Sequence, residues 1–126
     1  MTASGPPPVG PYRPVVAAGG WVVTSGQIGG VPGPDGAPSL VAGGTIAELR
    51  QALANLKAAL ASEGAALADV VKATVFLVDM GDYPAVNEVW TEVFDVPRPA
   101  RSVVAVVALP LGARVEVEAW AHPSPG

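Results

Sequence analysis

The chain has 126 residues, half of them hydrophobic but only 6% aromatic, and seven basic against eleven acidic residues give a net charge of −4. Length allows one domain with a real core, and the low aromatic content requires that core to be built from Ala, Val and Leu. With no cysteine, a disulfide scaffold, a thiolate nucleophile and a zinc–thiolate site are excluded. The acidic balance, with basic residues scattered singly, argues against nucleic acid or an anionic membrane as partner.

Residues 1–9 are proline-rich and read as a loosely ordered tail, as do residues 122–126. The N-terminus has no basic region followed by an apolar one, so no signal peptide is expected. The longest apolar run, Val103 to Leu111, is broken by Pro110, whereas a bilayer span needs about twenty residues. A soluble cytoplasmic protein is the expectation.

Val15–Ala18 and Trp21–Ser25 read as two strands joined by a tight Gly19-Gly20 turn. Residues 26–44 are rich in glycine and proline and read as a long irregular loop, of the kind found at functional sites or subunit boundaries. Thr45 and Glu48 form a capping-box pattern that opens a helix. Ile46, Leu49, Leu53, Leu56 and Leu60 give it one apolar stripe, and Gly64 ends it. Val70–Val78 is the third strand, with Lys72, Thr74 and Phe76 on one face and Val71, Ala73, Val75 and Leu77 on the other. Asp82 caps a second helix with Val86, Val89, Trp90, Val93 and Phe94 as its buried stripe.

Val103–Val107 is a strand covered on both faces. Arg114–Trp120 alternates with period two, so Arg114, Glu116, Glu118 and Trp120 share a face. A Leu109–Gly112 turn lets these two strands run antiparallel, which puts a guanidinium early in one near a carboxylate late in the next. That pairing reads as a binding site or as a salt bridge. The order is β-β-α-β-α-β-β, an α/β (α+β) fold with both helices on one face of a mixed sheet. The other face keeps apolar residues, Val103, Ala105 and Val107 or their neighbours, and a closed homo-oligomer is the simplest way to cover it.

Gly10-Pro11-Tyr12, Ser25-Gly26-Gln27-Ile28, Asn55-Leu56-Lys57-Ala58, Val70–Leu77, Ala85–Trp90, Pro99-Ala100-Arg101-Ser102 and Val115–Ala119, in this order, resemble the Rid family, also called YjgF or L-PSP. The resemblance covers about residues 10–121 and implies a chorismate-mutase-like fold and a homotrimer with sites in the clefts between subunits. It implies cofactor-free hydrolysis of enamines and imines such as 2-aminoacrylate and 2-iminopropionate to 2-keto acids and ammonia. It further implies that Arg101 binds the substrate carboxylate, that Glu116 lies near the attacking water, and that Tyr12, Asn87, Ser25 and Gln27 line the pocket. The chain departs from many members at Arg13-Pro14, where they have Ser, and at Val103, where they have Cys.

The residues themselves fit that chemistry. A planar guanidinium holds a carboxylate through two parallel hydrogen bonds, and a desolvated glutamate has its pKa drawn toward neutrality, where proton transfer works best. Nothing groups carboxylates or histidines for a metal, and His122 reads as solvated. Two other readings remain: a ligand-binding or interaction trimer without chemistry, and an endoribonuclease or translation inhibitor, which the acidic composition disfavours.

Overall fold

A computed structural model describes residues 8–124. The expected tails therefore fall partly on residues 1–7 and 125–126, outside the described residues. The strands are β1 (Val15–Ala18), β2 (Trp21–Thr24), β3 (Gly30–Pro32), β4 (Pro38–Leu40), β5 (Val70–Leu77), β6 (Ala100–Ala105) and β7 (Val115–Ala121); the helices are α1 (Gly44–Ala61) and α2 (Tyr83–Val93). The main sheet has the order β1-β2-β7-β5-β6, mixed because β5 is parallel to β6 and antiparallel to β7.

Both helices lie on one face, as the apolar stripes require. Leu49, Leu53, Leu56 and Leu60 of α1 and Val86, Val89 and Trp90 of α2 are buried against Ala73, Val75 and Leu77 of β5 and Val115, Val117 and Ala119 of β7. The Gly19-Gly20 turn forms with φ of 58° and 84°, the left-handed region that glycine enters without a Cβ clash. Among the described residues, no helix is long and apolar enough to cross a membrane.

The structure corrects several expectations. The 26–44 segment is not wholly irregular, since β3 and β4 form a small antiparallel hairpin within it. The strand expected over 103–107 begins at Ala100 and takes in Arg101, and Val107 is fully exposed beyond its end. The turn around Leu109–Gly112 exists, with Leu111 and Gly112 at φ of 59° and 72°. It does not pair β6 with β7, because β5 lies between them. In β5 a bulge between Val70 and Lys72 turns Val71 outward, leaving it 47% exposed, and buries Val70 instead.

At α1 the capping box is not formed. Gly43 is the N-cap, in the left-handed conformation and with no side-chain cap. The Thr45 and Glu48 side chains are drawn instead to Arg114: its Nε donates to Thr45 Oγ1 at 2.9 Å and its backbone N–H to Glu48 Oε1 at 2.8 Å. Thr45 donates to Asp82 Oδ2 at 2.6 Å, so Asp82 sits at the N-cap of α2 without capping it. Arg114 thus turns to the helix layer rather than sharing a face with Glu116. Register also decides the open face: Val103 packs against the core, and its neighbours Ser102 and Val104 face outward with Lys72, Thr74, Phe76, Glu116, Glu118 and Trp120.

Candidate active site

Glu116 follows from the alternation of β7. Val115, Val117 and Ala119 are buried toward the helices, which sends Glu116 and Glu118, both half-buried, to the open face. Directly over Glu116 runs the backbone of Gly26, so close that a Cβ there would overlap the carboxylate. The segment is pinned to β7 by two backbone bonds, Gln27 N–H to Val117 O at 2.7 Å and Val117 N–H to Gln27 O at 2.9 Å. Tyr12 closes the other side, its hydroxyl accepting from Val9 N–H at 3.3 Å, and Ser25 Oγ donates to the Arg13 carbonyl at 2.7 Å. Together Val9, Tyr12, Gly26, Gln27, Ile28 and Glu116 line a cavity of about 50 Å³, room for water-sized groups. Ser25 is not among its walls; its hydroxyl is spent on the Arg13 carbonyl, and it holds the chain entering the cavity.

Burial raises the Glu116 carboxyl above its usual range, and the adjacent charge of Glu118 pushes it the same way. A glutamate so placed exchanges protons nearer neutral pH than a solvated one.

Arg101 occupies a different place. It pairs with Ala73 of β5 and so points to the helix face, where α2 passes the edge strand β6. Its Nη2 donates to Asn87 Oδ1 at 2.8 Å and to the Tyr83 hydroxyl at 3.3 Å. Its guanidinium carbon lies 5.1 Å from the Trp90 ring centroid and 5.6 Å from that of Tyr83, within cation–π range. With Asn87, Trp90, Thr91, Arg98 and Pro99 it lines an open depression of about 250 Å³. The ion pairs among the described residues are Arg50–Glu92 and Arg114–Asp82, so Arg101 is not half of a salt bridge. Held through Nη2 alone, it keeps donors for an incoming carboxylate.

The expected proximity of Arg101 to a carboxylate of the last strand does not occur within the chain. Arg101 is in register with Ala73, and Glu116 with Phe76. Ala73 and Phe76 lie on opposite sheet faces, so the two groups do as well. The expected site residues therefore separate into two half-sites: Glu116, Tyr12 and Gln27, with Ser25 behind them, and Arg101 with Asn87.

Tyr83 has no expected role and Trp90 is expected only in the buried stripe of α2, yet their spacing from Asn87, four residues before and three after, puts all three on one helical face. Asn55, which opens one of the family-like motifs, has no expected place in the site. Its Nδ2 donates to the carbonyls of Ile28 and Gly30 at 3.1 and 2.9 Å, tying α1 to the cavity wall. Nothing local in the sequence marks that contact. His122 is exposed as expected, but its ring packs on Trp21 at 4.8 Å, and Trp21 meets Trp120 edge-on at 6.0 Å. Among the described residues no group of three His, Asp or Glu side chains is placed to hold a metal.

Fold and half-sites together define a small α+β protein with both helices on one sheet face, a guanidinium beside α2 and a half-buried glutamate on the opposite face. Comparison with known proteins narrows the class. The family described as endoribonuclease L-PSP matches residues 2–123. The chain is 42% identical to a 2-iminobutanoate/2-iminopropanoate deaminase from Capra hircus, over 98% of this chain and 88% of that one. A crystal structure of a putative endoribonuclease from Thermotoga maritima superposes with a TM-score of 0.89 at 41% identity, covering 99% of this chain and 96% of that one. RidA from an Antarctic Psychrobacter gives a TM-score of 0.89 at 37% identity, covering 98% and 97%. The chain belongs to the L-PSP family, known also as the YjgF or Rid family.

Proposed function

We propose that the protein is a cytoplasmic deaminase that hydrolyses enamine and imine intermediates bearing a carboxylate, of the 2-aminoacrylate and 2-iminopropionate kind, to 2-keto acids and ammonia. The observation that carries this reading is an arginine oriented by Asn87 and Tyr83 but with no carboxylate partner among the described residues, in a chain whose half-buried Glu116 is raised by desolvation. The Arg101 fork binds the substrate carboxylate through two hydrogen bonds and fixes the plane of the imine. Glu116, as carboxylate, takes a proton from water as the water oxygen adds to the protonated imine carbon. It then returns that proton to the nitrogen of the carbinolamine. The C–N bond breaks, ammonia leaves, and the hydroxyl proton is released as the ketone forms. No electron acceptor and no covalent enzyme intermediate enter the balance. General acid–base catalysis of this kind contributes about 10²–10⁴-fold.

Because Arg101 and Glu116 lie on opposite faces, one chain does not complete the site. A closed homotrimer, which the family resemblance implies, supplies Arg101 from one subunit and Glu116 from the next, and covers the open face that carries Val104, Phe76 and Trp120. The binding-only alternative uses the same Arg101 but has no need of a desolvated Glu116 beneath Gly26. A nucleic-acid role is disfavoured by the net charge of −4.

A coupled assay tests the proposal. A dehydratase generates 2-iminobutanoate in situ, and keto-acid release is followed with and without the protein. Faster release is expected; an unchanged rate at saturating protein would remove the deaminase reading.

A further inference from the structure

Asn55 interrupts the apolar stripe of α1 and is 5% exposed, between buried Ala52 and Leu53 on one side and Leu56 and Ala59 on the other. A buried amide is costly unless its hydrogen bonds are met. Here every bond is directed. Gln51 Nε2 donates to Asn55 Oδ1 at 3.0 Å, which sets the orientation of the amide and leaves Nδ2 facing the loop. Nδ2 then donates to Ile28 O and to Gly30 O, two carbonyls separated by Gly29.

Gly29 in turn is pressed against α1, where a Cβ would come within 2.6 Å of the Glu48 Cα, and its carbonyl accepts from Val41 N–H at 2.9 Å. Three consecutive carbonyls of the segment are thereby tied down. The same segment begins at Gly26, over Glu116, and supplies Gly26, Gln27, Ile28 and Gly30 to the cavity wall. Asn55 itself does not line the cavity.

We infer that Asn55 is a positioning residue for the hydrolysis: its amide clamps the Ile28 and Gly30 carbonyls and so holds the Gly26–Gly30 wall against the Glu116 carboxylate. This role rests on the deaminase reading of Glu116. One planar NH₂ group bridging two carbonyls fixes the wall at two points, which a hydroxyl, with one proton, does not do. Loosening the wall admits water to Glu116 and relieves the desolvation that raises its carboxyl. Among the described residues, the ionisable groups about Glu116 are Glu118 on its own strand and Tyr12 across the cavity. Thr74 and Phe76 of β5 and the wall residues themselves carry no charge.

The test compares wild type, Asn55→Ala and Gln51→Ala in the coupled assay across pH, with amide hydrogen exchange of the intact protein. Asn55→Ala is expected to lower kcat about ten- to hundredfold by misplacing the Glu116 wall, with a smaller change in KM because the Arg101 half-site is untouched. The acid limb of its pH–rate profile moves to lower pH, and exchange quickens at residues 27–30 while α1 and β5 stay protected. Gln51→Ala frees the amide to rotate and gives a weaker shift of the same sign; if Asn55→Ala does not fold, this variant decides. A folded Asn55→Ala with wild-type kcat and an unmoved acid limb overturns the inference, even if its melting temperature falls. An unmoved limb in Gln51→Ala does so where Asn55→Ala is lost. A wild type that releases no keto acid overturns the deaminase reading and this role with it, whereas an active wild type with indifferent variants overturns the role alone.

Discussion

In the proposed mechanism Glu116 acts as a base only when ionised, so activity is expected to fall as pH drops through its raised value. Because desolvation and Glu118 both push that value upward, the acid limb of kcat/KM is expected above the pKa of an ordinary glutamate, which is about 4.3. Glu116→Gln keeps the shape and removes the titrating proton. It should lower the rate by about 10²–10⁴-fold and flatten that limb, read by coupled assay from acid to neutral pH. Glu118→Gln, which removes only the flanking charge, should shift the limb slightly to lower pH with most activity retained. At Arg101 the comparison is of geometry. Arg101→Lys keeps the charge but loses the fork, and should cost roughly as much as Arg101→Ala, about ten- to hundredfold for carboxylate-bearing imines. Near-wild-type turnover by a folded Arg101→Ala protein would contradict the carboxylate clamp.

The elements are joined at one polar junction. Arg114, leading into β7, reaches Thr45 at the start of α1 and Asp82 at the start of α2, the latter as a 3.4 Å ion pair. That ion pair is partly solvated and contributes little by itself, while the bond to Thr45 is better buried. Arg114→Ala is therefore expected to destabilise the fold by about 1 kcal/mol, seen as a lower urea midpoint with an unchanged slope. Thr45 and Glu48 carry the letters of a capping box, and in an isolated helix they would close it. In the folded chain both side chains bond Arg114 instead, and the N-cap, Gly43, has no side chain with which to cap the helix. The buried stripes of α1 and α2 needed no such context, because a period of three to four residues is set by the helix itself.

At the scale of the whole molecule, the opposite-face placement of the half-sites makes assembly a functional question. Light scattering at micromolar concentration is expected to give about three times the chain mass of 12.6 kDa. Mixing chains sharpens it. Arg101→Ala and Glu116→Gln chains, each impaired alone, should recover activity above either when co-expressed, with about one site in four intact in a random trimer. No recovery would place both groups in one chain's site, against the sheet register.

What the sequence by itself determined is everything governed by neighbours along the chain. The two helices, the Gly19-Gly20 hairpin, the stop at Gly64 and the alternation that pairs Glu116 with Glu118 on one face follow from periodicity and local sterics. The residues expected at the candidate site came from elsewhere, from the resemblance of short motifs in order to the Rid family, because periodicity alone does not separate a binding arginine or glutamate from a solvated one. The tertiary structure alone decided which strands touch. It inserted β5 between β6 and β7, bulged β5 at Val71, and turned Arg101 toward α2 while Glu116 faces away. Strand pairing is a long-range choice: alternation says which side chains share a face, and only the hydrogen-bonded partner says which face that is. Asn55 was hidden for the same reason, since its two acceptors lie more than twenty residues away, in a loop whose path no local pattern fixes.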